Sequence, residues 1–269
     1  MSDHTGTDCV RLTRESDTGI ARLTLTDPDR RNTLSAELAG GVIAALDHLD
    51  GTDTRCVVVS GEGPTFSAGG DIEAMVERAE TETPLDDTVR HVIENTGRCV
   101  RRLYECSFPT VATVTGAAFG AGANLAIACD VLLFHEAAEI GFGFRNVGLS
   151  VDSGTSHLLP RLVGDNVAAE LVYTGEMVDA ERARELGIAN HVFDDETFTE
   201  ETEALIEQIA SGPSVALRTS KRLLRADHAS LREAIHNEAG AQAAVFDTED
   251  HAEGVSAFVE KRDPEFDGT

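Results

Sequence analysis

The sequence predicts an α/β fold of stacked, right-handed ββα units that continues into a helical C-terminal extension. Apolar strand-like runs at 56–60, 109–115 and 130–135 alternate with helix-like segments. Two of these runs end in turns that consist almost wholly of small residues. From residue 196 onward the pattern is helical, so we divide the chain into a core of residues 1–195 and a C-terminal region of residues 196–269.

Each element of the first half rests on a local signal. Residues 20–26 alternate apolar and polar side chains, which is typical of a half-exposed strand. Ser35 is placed to cap a helix that runs to about Leu49. Residues 77–89 are acidic and weakly patterned, and we expect a mobile, variable excursion there. A helix of roughly four turns is expected to end near Tyr104.

The second half follows the same logic. Residues 141–152 have the composition of a loop, and a helix is expected from about Gly154. A short strand is predicted at 190–193 within an otherwise helical stretch. The amphipathic patterns at the C-terminus predict helices over 213–224, 231–246 and 253–261.

The two small-residue turns carry the functional signal. They are residues 66–72, FSAGGDI, and residues 116–124, GAAFGAGAN. Small residues let a ligand approach the main chain, and a helix start leaves N–H groups without intrahelical partners. Two such turns facing each other would offer two N–H donors to a carbonyl oxygen that gains negative charge.

Other glycine motifs fit these turns poorly. The spacing of Gly116, Gly120 and Gly122 differs from a dinucleotide-binding fingerprint, and no lysine follows as in a phosphate loop. Residues 148–152, GLSVD, lack the last glycine of a nucleophile elbow. Metal-ligand spacings of Cys and His are also absent from the sequence. The alternative that remains is that both turns are only tight corners.

The charge balance is strongly acidic. There are 48 acidic residues against 22 basic ones, a net charge of −26, and only Lys221 and Lys261 are lysines. Acids spread along the whole chain favour a surface adapted to high salt, where screening suppresses self-repulsion. A nucleic-acid partner is disfavoured, because phosphate contacts need a basic face.

The cysteines and the N-terminus predict a cytoplasmic protein. The five cysteines are dispersed and lie mostly in apolar runs, which is typical of reduced core residues. The polar N-terminus does not resemble a secretory signal, and no apolar run reaches the ~20 residues that span a bilayer.

Five segments together resemble the crotonase superfamily of enoyl-CoA hydratases and isomerases over nearly the full chain. They are 32–35, 66–72, 116–130, the pair 148–154 and 159–164, and 253–262. The resemblance implies a crotonase fold, a trimer or a dimer of trimers formed through the C-terminal region, and an acyl-CoA thioester substrate. Its carbonyl would bind the N–H groups of Gly70 and Ala121. Coenzyme A enters with the substrate, so no separate cofactor and no metal are expected.

The chain departs from the family's hydratases at their two glutamates, which align with Asn124 and Phe144. Neither side chain can exchange a proton with water. Asp152 remains, at the position where the superfamily's dienoyl-CoA and ring-epoxide isomerases place an aspartate. One carboxylate suffices for a 1,3-proton shift, and an apolar wall such as Phe144 would raise its pKa. The alternative for Asp152 is a helix N-cap; Asn124 is either a substrate hydrogen-bonder or an inert helix residue.

The remaining binding candidates come from the same resemblance. Small and flanking residues of the turns are expected beside the substrate: Ala68, Gly69, Asp71, Ile72 and Gly120. Arg30 and Arg31 suit the phosphates of coenzyme A, or form only a solvated turn. Phe258 and Lys261 correspond to the C-terminal helix that touches the nucleotide, often across a subunit boundary. His157 is a further candidate for the border of the acyl pocket, although a surface or core role is favoured.

These features predict an acyl-CoA isomerase closest to the 1,2-epoxyphenylacetyl-CoA isomerase group. The enzymatic alternative is an enoyl-CoA hydratase of fatty-acid β-oxidation that uses Asp152 with water. A non-catalytic acyl-CoA-binding subunit is the alternative from another class, and RNA binding is disfavoured by the acidic charge.

Overall fold

The computed structural model describes the main chain of residues 2–3 and the whole of residues 7–81 and 83–269. The strands are β1 (Ser2–Asp3), β2 (Val10–Arg14), β3 (Ile20–Leu25), β4 (Cys56–Gly61), β5 (Thr65–Ser67), β6 (Thr110–Val114), β7 (Ala117–Phe119), β8 (Val131–His135), β9 (Glu139–Gly141), β10 (Met177–Asp179) and β11 (His191–Phe193).

Helices follow most of these strands. They are α1 (Ala36–Leu49), α2 (Ile72–Glu80), α3 (Leu85–Val92), α4 (Arg98–Tyr104), α5 (Ala121–Ile127), α6 (Thr155–Val163), α7 (Asp165–Thr174), α8 (Ala180–Glu185), α9 (Phe198–Ala210), α10 (Ser214–Leu224), α11 (Leu231–Val245) and α12 (Glu249–Glu260). Short 3₁₀ turns occupy Pro28–Arg30 and Phe144–Val147, and a π-helical turn occupies Ile93–Gly97.

The strands form two sheets. The larger has the order β1-β2-β3-β4-β6-β8-β11 and is parallel from β3 to β11, while β1, β2 and β3 pair antiparallel. The smaller sheet has the order β10-β9-β7-β5 and is parallel except for the β10–β9 pair. Strands β4, β6 and β8 of the large sheet each continue into β5, β7 and β9 of the small one, and a helix follows. The predicted ββα repeat is therefore confirmed.

The core lies on both faces of the large sheet. Val57 and Val59 of β4 belong to the main apolar cluster that also contains helices α1, α4 and α5. The alternate residues Cys56 and Val58 face Ile206 of α9 in a second cluster. Burial on both faces explains why β4 reads as an uninterrupted apolar run.

Two details of the first half differ from the sequence-based prediction. Most of the acidic stretch 77–89 is helical, because α2 extends to Glu80 and α3 begins at Leu85. These helices were not predicted, residue 82 lies outside the described residues, and the mobility and variability of the stretch remain predictions. Strand β2 was not predicted at all. The Ser35 cap is confirmed, since its side chain accepts a hydrogen bond from the Leu38 N–H.

Candidate active site

The two glycine turns face each other across the small sheet. Strands β5 and β7 are parallel neighbours, so the turns that follow them lie at the same edge. A Cβ atom on Gly69, which has a φ of 87°, would lie 2.3 Å from the Phe119 carbonyl oxygen and 3.2 Å from the Ala121 nitrogen. A Cβ on Gly122 would lie 2.4 Å from the Ser67 carbonyl oxygen. The turns are in main-chain contact that only glycine permits at these positions.

Both turns present an N–H group without a main-chain acceptor in the part of the chain that the structure describes: those of Gly70 and Ala121. Ala121 is the first residue of α5, where no intrahelical partner exists. The neighbouring groups are engaged instead, since Leu34 N–H donates to Gly69 O at 2.7 Å and Gly120 N–H donates to Gly141 O at 2.8 Å. The arrangement leaves two adjacent main-chain donors, as an oxyanion hole requires.

A cavity of about 290 Å³ opens beside these donors. Its lining includes Gly70, Gly120 and Ala121 of the two turns together with Phe144 and Asp152. Ala68, Asp71 and Ile72 also line it. Helices α2 and α3 complete the wall.

Asp152 has the chemistry of a base in this cavity. Its Oδ1 atom is buried and has no hydrogen-bond partner among the described residues. Burial raises the pKa of the carboxyl group, and a hydrogen bond with Ser153 lowers it in part. The side chain does not cap α6, whose N-cap is Gly154 without a side-chain hydrogen bond. The capping alternative for the Asp152 carboxylate is therefore wrong.

The second carboxylate of the cavity, Asp71, is already hydrogen-bonded within the protein. It accepts a hydrogen bond from Ala74 N–H at 3.0 Å and caps α2, and Arg30 donates to it at 2.9 Å. Burial alone would raise the pKa of Asp71, but the hydrogen bonds from Ala74 and Arg30 outweigh burial and lower it. Asp71 is therefore a structural group whose carboxylate is hydrogen-bonded within the protein, whereas the Oδ1 atom of Asp152 has no partner among the described residues.

Phe144 supplies an apolar wall. It is 8% exposed, begins the 3₁₀ turn that ends at Val147, and lines the cavity. An apolar surface near a carboxylate disfavours the ionised form, in agreement with the direction of the Asp152 pKa.

A groove of about 300 Å³ adjoins the cavity and holds the two candidate phosphate-binding arginines. Groove and cavity share Ala68 and residues 70–72 as a common border. Arg30 lies between Asp71 and two more distant carboxylates, Asp27 and Glu73, at 3.9 Å. The Arg31 carbonyl accepts a hydrogen bond from Ala68 N–H, which joins the basic turn to the first glycine turn.

Comparison with known proteins agrees with this geometry. Residues 15–269 match the family described as enoyl-CoA hydratase/isomerase. The chain belongs to this family. A Thermus thermophilus protein with the provisional name enoyl-CoA hydratase is 39% identical over 249 residues, which cover 92% of this chain and 97% of that protein. The 1,2-epoxyphenylacetyl-CoA isomerase of Escherichia coli is 32% identical over 252 residues, which cover 93% of this chain and 95% of that protein.

The crotonase fold is shown by solved structures of the same family. The enoyl-CoA hydratase of Bacillus anthracis superimposes with a TM-score of 0.87 at 28% identity, over 97% of this chain and 100% of that one. Some relatives of this protein are named hydratases and others isomerases. The comparisons therefore establish the enzyme family but do not decide between hydratase and isomerase activity.

Several residues that the sequence analysis proposed for substrate binding do not line the cavity. Phe258 is 86% exposed on α12, and Lys261 follows the end of that helix. Neither lines the cavity of its own chain. Asn124 is fully buried behind the cavity wall, and its amide bonds to Asp152 O and Thr155. His157 packs on Tyr104 and contacts Arg161 at the surface.

Among the cavity residues that sequence reasoning missed, three are polar: Arg78, His91 and Thr96. They lie on α2, α3 and the π-helical turn, in or beside the acidic stretch 77–89. The spacing of Ile72, Met75 and Arg78 on one helical face is a signal that could have found Arg78, but no such signal exists for His91 and Thr96. Burial and the nearby Arg78 charge lower the pKa of His91.

Two further findings concern the rest of the described chain. The five cysteines are free thiols, and no group of His, Cys, Asp and Glu within the described ranges is arranged to hold a metal ion. No helix among the described residues has the length and apolarity needed to cross a membrane.

Proposed function

We propose that this protein is an acyl-CoA isomerase that shifts a double bond, or opens and rearranges a ring epoxide, by proton transfer through one carboxylate. The observation that carries the proposal is the buried, unpartnered Oδ1 atom of Asp152 in the same cavity as the Gly70 and Ala121 turns. An acyl-CoA thioester has both features that such a site needs, an acidic α-proton and a carbonyl oxygen to receive charge.

For a 3-enoyl-CoA substrate the steps follow from the site. The thioester oxygen binds the N–H groups of Gly70 and Ala121. Asp152 removes a proton from C2, the electrons move into the carbonyl as an enolate, and the double bond forms between C2 and C3 when Asp152 returns the proton to C4. Preorganised donors lower such a barrier by about 3–4 kcal/mol each.

The residues around Asp152 favour isomerisation over hydration. Hydration needs a positioned water and a second acid or base. At the two positions of the family's glutamates, Asn124 is buried with its amide engaged in the protein, and Phe144 is apolar. The alternative, an enoyl-CoA hydratase with Asp152 alone, rests on the hydratase name of the Thermus relative.

The adjoining groove is the proposed site for coenzyme A, with Arg30 and Arg31 near its phosphates and Asp71 holding Arg30 in place. We propose that Phe258 and Lys261 serve the cavity of a neighbouring subunit in a homotrimer or dimer of trimers. Apolar side chains exposed on α11 and α12 support an interface in residues 196–269: Leu231, Ile235, Val255, Phe258 and Val259. Light scattering should give a trimer or hexamer, and a monomer would contradict this part.

The proposal includes a working environment of high salt. With a net charge of −26, self-repulsion destabilises the compact chain until salt screens it. The free energy of unfolding should therefore rise as KCl is increased from millimolar to molar concentration. A flat or falling dependence would contradict the proposed adaptation.

The decisive assay compares a 3-enoyl-CoA with crotonyl-CoA in molar KCl. We expect conversion of the 3-enoyl-CoA to the 2-enoyl-CoA, and little hydration of crotonyl-CoA. Asp152→Asn should lower kcat by about a hundredfold to ten-thousandfold and keep the affinity for a saturated acyl-CoA. Hydration without isomerisation would refute the proposal. Binding without turnover of either substrate would identify a non-catalytic acyl-CoA-binding protein.

A further inference from the structure

The main-chain carbonyl of Asp152 is held by an unusual number of donors. It accepts hydrogen bonds from Asn124 Nδ2, from Thr155 N–H and from Thr155 Oγ1, each at 3.0 Å. Asn124 and Thr155 are themselves 0% and 1% exposed. Two buried side chains from different helices therefore meet at one peptide group of the acid.

The two side chains also fix each other. Thr155 Oγ1 donates to Asn124 Oδ1 at 2.8 Å, so its one proton serves both this oxygen and the Asp152 carbonyl. Asn124 lies one turn after Ala121 on α5. The same short helix thus carries an oxyanion donor at its start and a clamp on the acid one turn later.

The loop that carries Asp152 needs such a clamp. Ser153 has a φ of 47°, in the left-handed region that a serine rarely occupies, and Gly154 follows with a φ of 93°. Ser153 Oγ donates to Thr96 Oγ1 at 3.0 Å, which joins the loop to the π-helical turn that also lines the cavity. An unrestrained loop would let the carboxylate turn out of the cavity toward water, where its charge is better solvated.

We propose that Asn124 and Thr155 are positioning residues that hold the Asp152 main chain so that its unpartnered carboxylate oxygen stays in the acyl cavity. This inference rests on the isomerase function proposed above. It assigns a task to the position at which the family's hydratases carry a catalytic glutamate: in this chain that position orients the acid, and supplies no proton itself.

The test measures kcat, KM and the pH profile of kcat/KM for isomerisation in two variants, Asn124→Ala and Thr155→Val. Each should lower kcat by about tenfold to a hundredfold, because a small displacement of a catalytic group has that effect, with KM changed less than about threefold. The acid limb of the profile should move to lower pH as the carboxylate gains contact with water.

Two control variants separate positioning from general stability. Thr155→Ser keeps the hydroxyl and should restore kcat and the pH profile. Thr202→Val removes another buried hydroxyl, whose partners among the described residues are carbonyls of its own helix α9, and should leave both kcat and the pH profile unchanged.

The outcomes distinguish the inference from the function on which it rests. Wild-type kinetics and an unmoved acid limb in Asn124→Ala and Thr155→Val would overturn the inference while leaving the isomerase intact. If Asn124→Ala does not fold, the Thr155→Val and Thr155→Ser pair decides alone. Absence of isomerisation in the wild-type protein, or full activity in Asp152→Asn, would instead refute the proposed function.

Discussion

The two halves of the candidate site are held in opposite ways. The oxyanion corner, residues 69–70 and 120–121, consists of main chain fixed by sheet pairing and by contacts too close for a Cβ atom. The acid loop, residues 152–155, has a left-handed serine and a buried carboxylate oxygen without a partner. The oxyanion corner is held by close main-chain packing. The acid loop instead keeps a serine in an unfavourable backbone conformation and a carboxylate oxygen without a hydrogen bond.

The unfavourable backbone conformation and the unpartnered carboxylate oxygen both lie in the acid loop. The start of α5 leaves the Ala121 N–H without an intrahelical partner in any case. A base with a raised pKa needs an environment that disfavours its charge, and that environment destabilises the folded chain. The two halves should therefore respond to mutation in different ways.

Among variants that keep the Asp152 carboxylate, the largest effect is expected from Gly69→Ala in the oxyanion corner. The added Cβ would lie 2.3 Å from Phe119 O, at a backbone φ of 87° that disfavours alanine, so the two turns must separate. We expect kcat to fall by about a hundredfold to a thousandfold, as for loss of one oxyanion donor. Steady-state kinetics and chemical unfolding would measure the change.

A matched control for Gly69→Ala is Gly40→Ala on the exposed face of α1, where an added Cβ meets nothing within 4 Å. This variant should keep full activity and gain about 0.5–1 kcal/mol of stability. Equal activity of the Gly69 and Gly40 variants would show that the corner has no catalytic part.

A smaller effect is expected from Phe144→Gln in the wall beside the acid. Because burial raises the pKa of Asp152, a polar wall should lower that pKa. The base is ionised above its pKa, so the acid limb of kcat/KM should move to lower pH, and the weaker base should reduce the plateau by about threefold to tenfold. Phe144→Leu preserves the apolar wall and should preserve the limb; identical shifts in both variants would contradict this explanation.

The smallest effect concerns stability and comes from Asp152→Asn. A carboxyl whose folded pKa is raised destabilises the folded state once pH exceeds its unfolded pKa, and the penalty is complete above the folded pKa. The amide has no such charge, so the variant should gain about 0.5–1 kcal/mol at neutral pH, a value reduced by the partial exposure of the group. The gain should disappear toward about pH 4.

Urea unfolding of both proteins at the two pH values, in the same molar salt, measures that gain. Destabilisation by Asp152→Asn at neutral pH would mean that the carboxylate makes a favourable interaction in the folded protein.

The oxyanion corner was largely predictable from sequence, and the acid loop only in part. A turn that brings main chain against main chain requires small residues, so the composition of residues 66–72 and 116–124 indicates their close contact. The raised pKa of Asp152 was expected from an apolar neighbour, and Phe144 does line the cavity. The clamp through Asn124 joins residues that are 28 positions apart, and no local pattern records such a contact.

The other differences have the same origin. Residues 77–80 and 85–89 are helical although their acidic residues give little periodicity, and the Asp71 cap supports the first of these helices from six residues upstream. The pairing of Arg30 with Asp71 likewise depends on the approach of two turns that are distant in sequence. Local signals thus locate the elements, while the partners of charged groups follow from the assembled fold.

The most direct test of the account follows a deuterium label from C2 of a 3-enoyl-CoA substrate in ordinary water. If Asp152 alone carries the proton between C2 and C4 within a cavity that water enters slowly, a measurable share of the label should appear at C4 of the 2-enoyl-CoA product. Mass spectrometry or NMR of the product would detect it. A product formed with complete loss of the label to water, or a hydrated product in its place, would contradict a single shielded carboxylate.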